Sequence, residues 1–183
     1  ASGIMVLVVI DYRASRLTQI AAWAMVIALF MAADSFLSSY KQASRVMVRN
    51  FYGGLRVQES GLGTAKAVRV LVHGTVNHGM QFTDPGKRDT AIGYYASDTG
   101  IGQAMAYLRP AGQLRVGIIG LGTGTLAAYA EPGDLFRFYE INPLVESLAR
   151  TQFSYLADCR GQTEVILGDG RLSLEREPPQ GYD

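Results

Sequence analysis

Gly120, Gly122 and Gly124 stand in the run Arg115 to Ala130, RVGIIGLGTGTLAAYA, where an apolar strand leads into three glycines at alternate positions. That spacing permits a tight turn and lets a ligand approach the backbone with no Cβ in the way. The Ala-rich stretch that follows reads as a helix starting near Thr123, and its N-terminus would aim free N–H groups into the turn. Glu140 ends the next strand, 20 residues beyond Gly120, the distance at which a carboxylate meets ribose hydroxyls. An ionised carboxylate only accepts, so one side chain can take both hydrogen bonds of a vicinal diol. A surface role ahead of the Asn142-Pro143 helix start is the competing reading. Asp169, in Leu167-Gly168-Asp169-Gly170-Arg171, ends the third strand. It is placed either to accept from an adenine amino group or to cap the helix that begins near Arg171. Its position on the third of three successive strand ends favours the ligand.

A dinucleotide fingerprint needs G-x-G-x-x-G or a terminal Ala. Here the third glycine comes one residue early and position 125 is Thr. G-x-G-x-G suits a ligand without a pyrophosphate and points to an S-adenosyl compound over NAD. His73 and His78, in HGTVNHG, are the two histidines of the chain. Five residues apart, they would lie on opposite faces of a regular strand, which argues against a paired metal or catalytic role.

The elements that must position these residues follow from periodicity. RVGII, LFRFYE and EVILG read as strands, with helices beginning near Thr123 and Pro143. Alternating strand and helix signals a parallel sheet with helices on its faces. The chain stops at Gly-Tyr-Asp, where a fourth strand would ordinarily start, so the domain reads as interrupted. IGQAMAYL reads as a short helix ahead of it. Upstream, FYGGLRVQE and KAVRVLVHG alternate with period two around a Gly-rich turn at Gly61 to Thr64, with Val68, Val70 and Val72 on one side and a third strand near Met80 to Thr83. Ile4 to Ile10 is a short apolar run. Between Arg16 and Asp34 lie 17 uncharged positions, at the short end of the roughly 17–25 residues that cross a bilayer. Trp23 and the basic flanks Arg13, Arg16, Lys41 and Arg45 suit a membrane-embedded helix; a helix buried in a core is the alternative. Phe36, Leu37, Tyr40, Ala43 and Met47 keep helical spacing, which extends this helix to about residue 48. The expected organisation is a hydrophobic helical segment over 1–48, a small antiparallel β unit over 49–98, and a Rossmann-like α/β domain, incomplete at its C-terminus, over 99–183.

Composition narrows the function classes. With 48% hydrophobic and 18% charged residues the chain is not of the disordered type. A net charge of +1 gives no bulk field for nucleic acid, and one cysteine, Cys159, with two histidines argues against a zinc site.

The order and spacing of FYGGLRV, LVHGTVNHGMQF, GYYASDTGIG, VGIIGLGTGTLAAYA with FYEINP, and VILGDGRLSLE resemble the polyamine aminopropyltransferases, the spermidine synthase-like family, in its membrane-fused bacterial form. The resemblance covers residues 50 to 183. It implies a small β unit followed by a methyltransferase-type Rossmann fold, and a donor, decarboxylated S-adenosylmethionine or S-adenosylmethionine, bound without a metal. Gly120, Gly122, Gly124 and Gly170 would surround that donor, Glu140 would hold the ribose and Asp169 the adenine. Gln81 would meet the donor's amino-acid portion, and Tyr94 and Tyr95 would fall near the segment that closes the site. The implied partners are a small amine such as putrescine, a membrane reached through the N-terminal helix, and a second copy in a homodimer, with the Rossmann domain in the cytoplasm. The chain departs from the family pattern at Thr123, where an aspartate meets the donor's amino group, and in RDTAIGYYASD, where acidic residues hold the polyamine; Asp98 is a possible substitute. The family's catalytic aspartate follows a Tyr-Asp pair, here Tyr182-Asp183, so the base is expected beyond residue 183 and no catalytic residue is assigned. Methyl transfer on the same loop, or a non-catalytic nucleoside-binding membrane protein, are the competing functions.

Overall fold

The computed structural model describes residues 15–42 and 44–183; the Ile4 to Ile10 run and Arg13 lie outside the described residues. The chain divides at Ala43/Ser44 into two compact units. Within the first, α1 (Arg16–Gln42) runs for 27 residues, about 40 Å at 1.5 Å per residue. Leu17, Ile20, Ile27, Phe30 and Phe36 are exposed on it. The helix is long and apolar enough to cross a membrane.

The expected helix to residue 48 is corrected at this point. Ser44–Asn50, SRVMVRN, is strand β1. Its period is two: Val46 and Val48 pack on the core while Arg45, Met47 and Arg49 are exposed. Pairing with β2 supplies what helical spacing at Ala43 and Met47 could not, a partner for the alternating face. β1, β2 (Gly53–Ser60), β3 (Val68–His73) and β4 (Val76–Phe82) form an antiparallel meander in that order. The strand expected near 80–83 thus begins earlier. Leu55 and Val57 of β2 pair beside Leu71 of β3 on the buried face; Val68, Val70 and Val72 share the other face, where Val72 is buried. A two-residue turn, Gly74-Thr75, closes β3 on β4. Val70 pairs Met80 while Val72 pairs Asn77, so β4 carries an extra residue opposite Leu71. Such a bulge re-aims the side chains next to it.

A 3-10 turn (Gly93–Tyr95) and α2 (Gly100–Leu108), capped by Thr99, lead to the parallel sheet. Its strands β5 (Arg115–Ile119), β6 (Leu135–Glu140) and β7 (Gln162–Leu167) lie in the order β5-β6-β7, with α3 (Pro143–Gln152) between β6 and β7 and α4 (Gly170–Arg176) after β7. Pro143 occupies the first turn of α3, where a missing N–H costs nothing, and Asn142 caps it by accepting from the Leu144 N–H at 3.0 Å.

The helix expected near Thr123 is replaced by five residues of 3-10 structure, Thr125–Tyr129. Pro132 and Gly133 follow three residues on, too soon for α-helical turns to accumulate. The loop therefore has no α-helix N-terminus behind it. Phe136 and Phe138 of β6 are almost wholly buried and share one hydrophobic cluster with Leu55, Val57 and Leu71 of the antiparallel sheet. One core thus spans both sheets. Residues 182 and 183 run against the outer edge of β5, where the Asp183 N–H donates to the Arg115 carbonyl at 3.1 Å. The Tyr182 ring lies over Gly117, close enough that a Cβ there would stand 2.6 Å from it.

Candidate functional site

A cleft of about 700 Å³ opens between the tips of the antiparallel hairpins and the carboxyl ends of β5 and β6. Gly120 and Gly122 line it, and Gly120, Gly122 and Gly124 have φ of 93°, 57° and 80°, a backbone region that side chains with a Cβ rarely adopt. A Cβ at Gly120 would meet nothing within 4 Å, so this position faces open space. Gly124 instead packs on Leu156, where a Cβ would stand 3.1 Å from Leu156 Cγ.

Glu140 is buried at the cleft floor. Its two carboxylate oxygens accept from the Leu121 N–H at 2.9 Å and the Asn142 N–H at 2.8 Å. It thereby staples the glycine loop to the β6–α3 turn. Each oxygen keeps a further lone pair for a ligand hydroxyl. Asn142 is buried beside it; its Oδ1 accepts from Asn50 Nδ2 at 2.7 Å, and its Nδ2 has no partner. Ile119 and Ile141, both exposed at strand ends, give the cleft an apolar flank.

The remaining sequence-derived positions distribute differently. Asp169 caps α4, accepting from the Leu172 N–H at 3.0 Å. Gly170 packs on Ile119 and Tyr139, so both residues sit at the carboxyl edge of the sheet, but neither lines the cleft. Gln81 is buried and does not line the cleft. Its Nε2 donates to the Arg88 carbonyl and to Ser154 Oγ, and its Oε1 accepts from the Ser154 N–H. These bonds join β4 to the end of α3 and leave the side chain outside the cleft. Thr123 is buried against Thr125, the two hydroxyls 2.7 Å apart. Tyr94 and Tyr95 line the cleft, whereas Asp98 does not.

The structure overturns the expectation that His73 and His78 stand apart. The short turn and the bulge bring both into the cleft with ring centroids 5.5 Å apart. The alternation argument holds only for a regular strand, and β4 is irregular at His78–Gly79. His73 Nε2 donates to the Tyr52 carbonyl at 2.8 Å, since a carbonyl can only accept. Partial burial, then the neighbouring His73, lower the pKa of His78, with Glu140 pulling the other way. Sequence reasoning also missed Asn77 on the cleft wall and the His78-Gly79 pair as a docking surface. A Cβ on Gly79 would collide with Thr123, and one on Gly122 with the His78 carbonyl. The repeated His-Gly in HGTVNHG was the available signal. Among the described residues no group of three His, Cys, Asp or Glu side chains could hold a metal ion.

No protein-family model matches this sequence, and no curated protein matches it. The structure is similar to the crystal structure of a probable spermidine synthase from Corynebacterium glutamicum, with a TM-score of 0.59 and 17% sequence identity. The match covers 75% of this chain and 49% of that one, so the chain spans about half the length of the protein it resembles. At that identity the likeness is one of fold, which in this chain is an antiparallel sheet ahead of a parallel one.

Proposed function

We propose that the cleft binds an S-adenosyl-type donor and that the protein is a membrane-associated, spermidine synthase-like transferase. In this reading decarboxylated S-adenosylmethionine gives its aminopropyl group to an amine and leaves as methylthioadenosine. The carrying observation is Glu140, buried at the cleft floor and stapled to the open glycine loop. A carboxylate fixed in this way is pre-organised for a ribose diol, while Gly120 leaves room for the ligand to approach. Ile119 and Ile141 offer the apolar surface that an adenine ring needs. The sulfonium carries its own leaving group, so the protein's part is to position the nucleophile and accept a proton. We assign attachment to the bilayer to α1 and Ser44–Asp183 to the cytoplasmic side.

The test is calorimetric titration of the full chain in detergent with decarboxylated S-adenosylmethionine, S-adenosylmethionine, methylthioadenosine and NAD. Saturable binding of an adenosyl sulfonium or thioether is the expected result. Binding of NAD alone, or of none of the four, overturns the reading.

One observation favours a second reading. Glu140 is the single carboxylate on the cleft wall among the described residues, whereas a dicationic amine needs carboxylates to replace its hydration. Methyl transfer from S-adenosylmethionine to an acceptor without two cationic ends meets that constraint. The products separate the two: S-adenosylhomocysteine marks methyl transfer, methylthioadenosine aminopropyl transfer.

A further inference from the structure

Asn50 ends β1, and both polar atoms of its side chain are engaged. Oδ1 accepts from the Tyr52 N–H at 3.0 Å and folds the β1–β2 turn back on the strand. Nδ2 reaches a residue 92 positions away, donating to Asn142 Oδ1 at 2.7 Å. The Tyr52 carbonyl accepts from His73 of β3, so the turn is fixed to the sheet as well. Asn142 is the N-cap of α3, a task that needs only the bond from the Leu144 N–H. The second bond, from Asn50, goes beyond capping. Asn142 also gives its own N–H to Glu140 Oε1, while Glu140 Oε2 accepts the Leu121 N–H of the glycine loop. A continuous line of hydrogen bonds therefore runs from the β1–β2 turn through Asn50, Asn142 and Glu140 to the loop.

The amide of Asn142 shows which of its atoms the fold uses. The side chain is buried, its oxygen takes two donors, and among the described residues its Nδ2 has no partner. A buried N–H without an acceptor is costly. Aspartate would cap α3 and accept from Asn50 without that orphan, but it would set a second carboxyl beside Glu140, one hydrogen bond away. Asparagine supplies the acceptor without the charge. We propose, resting on the reading of the cleft as an adenosyl-donor site, that Asn50 is a positioning residue for ribose recognition. Through Asn142 it holds the Glu140 carboxyl where it distinguishes a nucleoside with both ribose hydroxyls from one without them. Hydrogen bonds weaken steeply with distance and angle. A small turn of the carboxyl therefore forfeits the hydroxyls and leaves contacts to the base intact. The antiparallel sheet thus sets the selectivity of a carboxyl carried by the parallel one.

The experiment is calorimetric titration of the full chain in detergent with adenosine and with 2′,3′-dideoxyadenosine, for the wild type and Asn50→Asp. That substitution keeps the oxygen that Tyr52 uses and replaces the amide donor by a second oxygen facing Asn142. The wild type should prefer adenosine by about tenfold or more. Asn50→Asp should weaken adenosine about tenfold and leave dideoxyadenosine within about threefold, so that the preference collapses. A merely structural role would weaken both ligands alike or neither, and either result overturns the role of Asn50 while leaving the donor site standing. Linkage supplies a second readout in the wild type: saturating adenosine should slow amide hydrogen exchange in the β1–β2 turn, and saturating dideoxyadenosine should not. If Asn50→Asp does not fold, this comparison decides, and equal protection by the two ligands sinks the proposal. A wild type that binds the two nucleosides equally, or binds neither, overturns the Glu140 ribose contact and this proposal with it.

Discussion

Glu140 shows how much a single carboxylate can be asked to do. It is buried, it ties two backbone segments together, and in the proposed function it also receives a ribose. Glu140→Gln keeps the shape but substitutes a donor for one acceptor oxygen, so one of the two backbone N–H groups faces an NH2. Hydrogen bonds to charged groups contribute about 1.5–3 kcal/mol each. The variant should therefore lose roughly that much stability in urea unfolding and bind donor at least about tenfold more weakly by calorimetry. Unchanged donor affinity would remove Glu140 from the site. The position was legible from spacing alone, because the ends of consecutive parallel strands fall side by side. Gln81 was not legible in this way. Its partners, Arg88 and Ser154, include one 73 residues away, and no local pattern announces such a bond.

At the scale of elements, the site depends on one hairpin pressed onto one loop. Gly79 of β4 packs on Thr123, and Gly122 packs on the His78 backbone. Gly79→Ala adds a methyl group where there is no space, at φ 133°. We expect about 1–3 kcal/mol of destabilisation from overpacking and strain, together with loss of donor binding. Gly120→Ala separates these effects, because its Cβ would enter open space. Donor affinity should fall by at least about tenfold, with a stability loss near the 1 kcal/mol lower end of backbone strain. Equal stability losses in the two variants, read by denaturant midpoints, would contradict this account of the loop. Element types in the parallel sheet follow from apolar runs flanked by glycine, and three strands appear where periodicity places them. β1 does not, because its residues fit helical spacing and strand alternation alike until β2 is there to pair with.

At the scale of the molecule, a buried charge network joins α2 to the parallel sheet. Asp134 accepts from the N–H groups of Leu114 and Glu131 and from Arg109 Nη1, each at 2.8 Å. Burial by itself would raise its pKa, but these hydrogen bonds and the Arg109 guanidinium outweigh burial and hold the carboxyl below its ordinary 3.8. A depressed folded-state pKa gives stability that is present above about pH 4 and lost as the pH falls through the folded value. Urea unfolding at pH 6 and pH 3 should show that loss, and Asp134→Asn should diminish it. The same variant should cost about 3 kcal/mol at pH 6, the low end for breaking a buried pair, since Arg109 is one-third exposed. For α1, the full chain should fractionate with membranes and resist extraction by high salt or carbonate while yielding to detergent. Recovery in the salt-extracted supernatant would refute membrane attachment.

What the sequence determined by itself is local or periodic: an apolar helix of spanning length, alternating strands, a parallel αβ run, and the glycine loop with Glu140 one strand later. Each of these follows from side-chain spacing within a few residues or from the regular step between neighbouring parallel strands. The tertiary structure alone decided which polar residues share the cleft. A one-residue bulge turned His78 towards His73, a proline and a glycine cut short the helix behind the loop, and a remote serine drew Gln81 out of reach. Packing between segments distant in sequence sets those positions, because each depends on the space and the hydrogen-bond partners that another part of the chain provides.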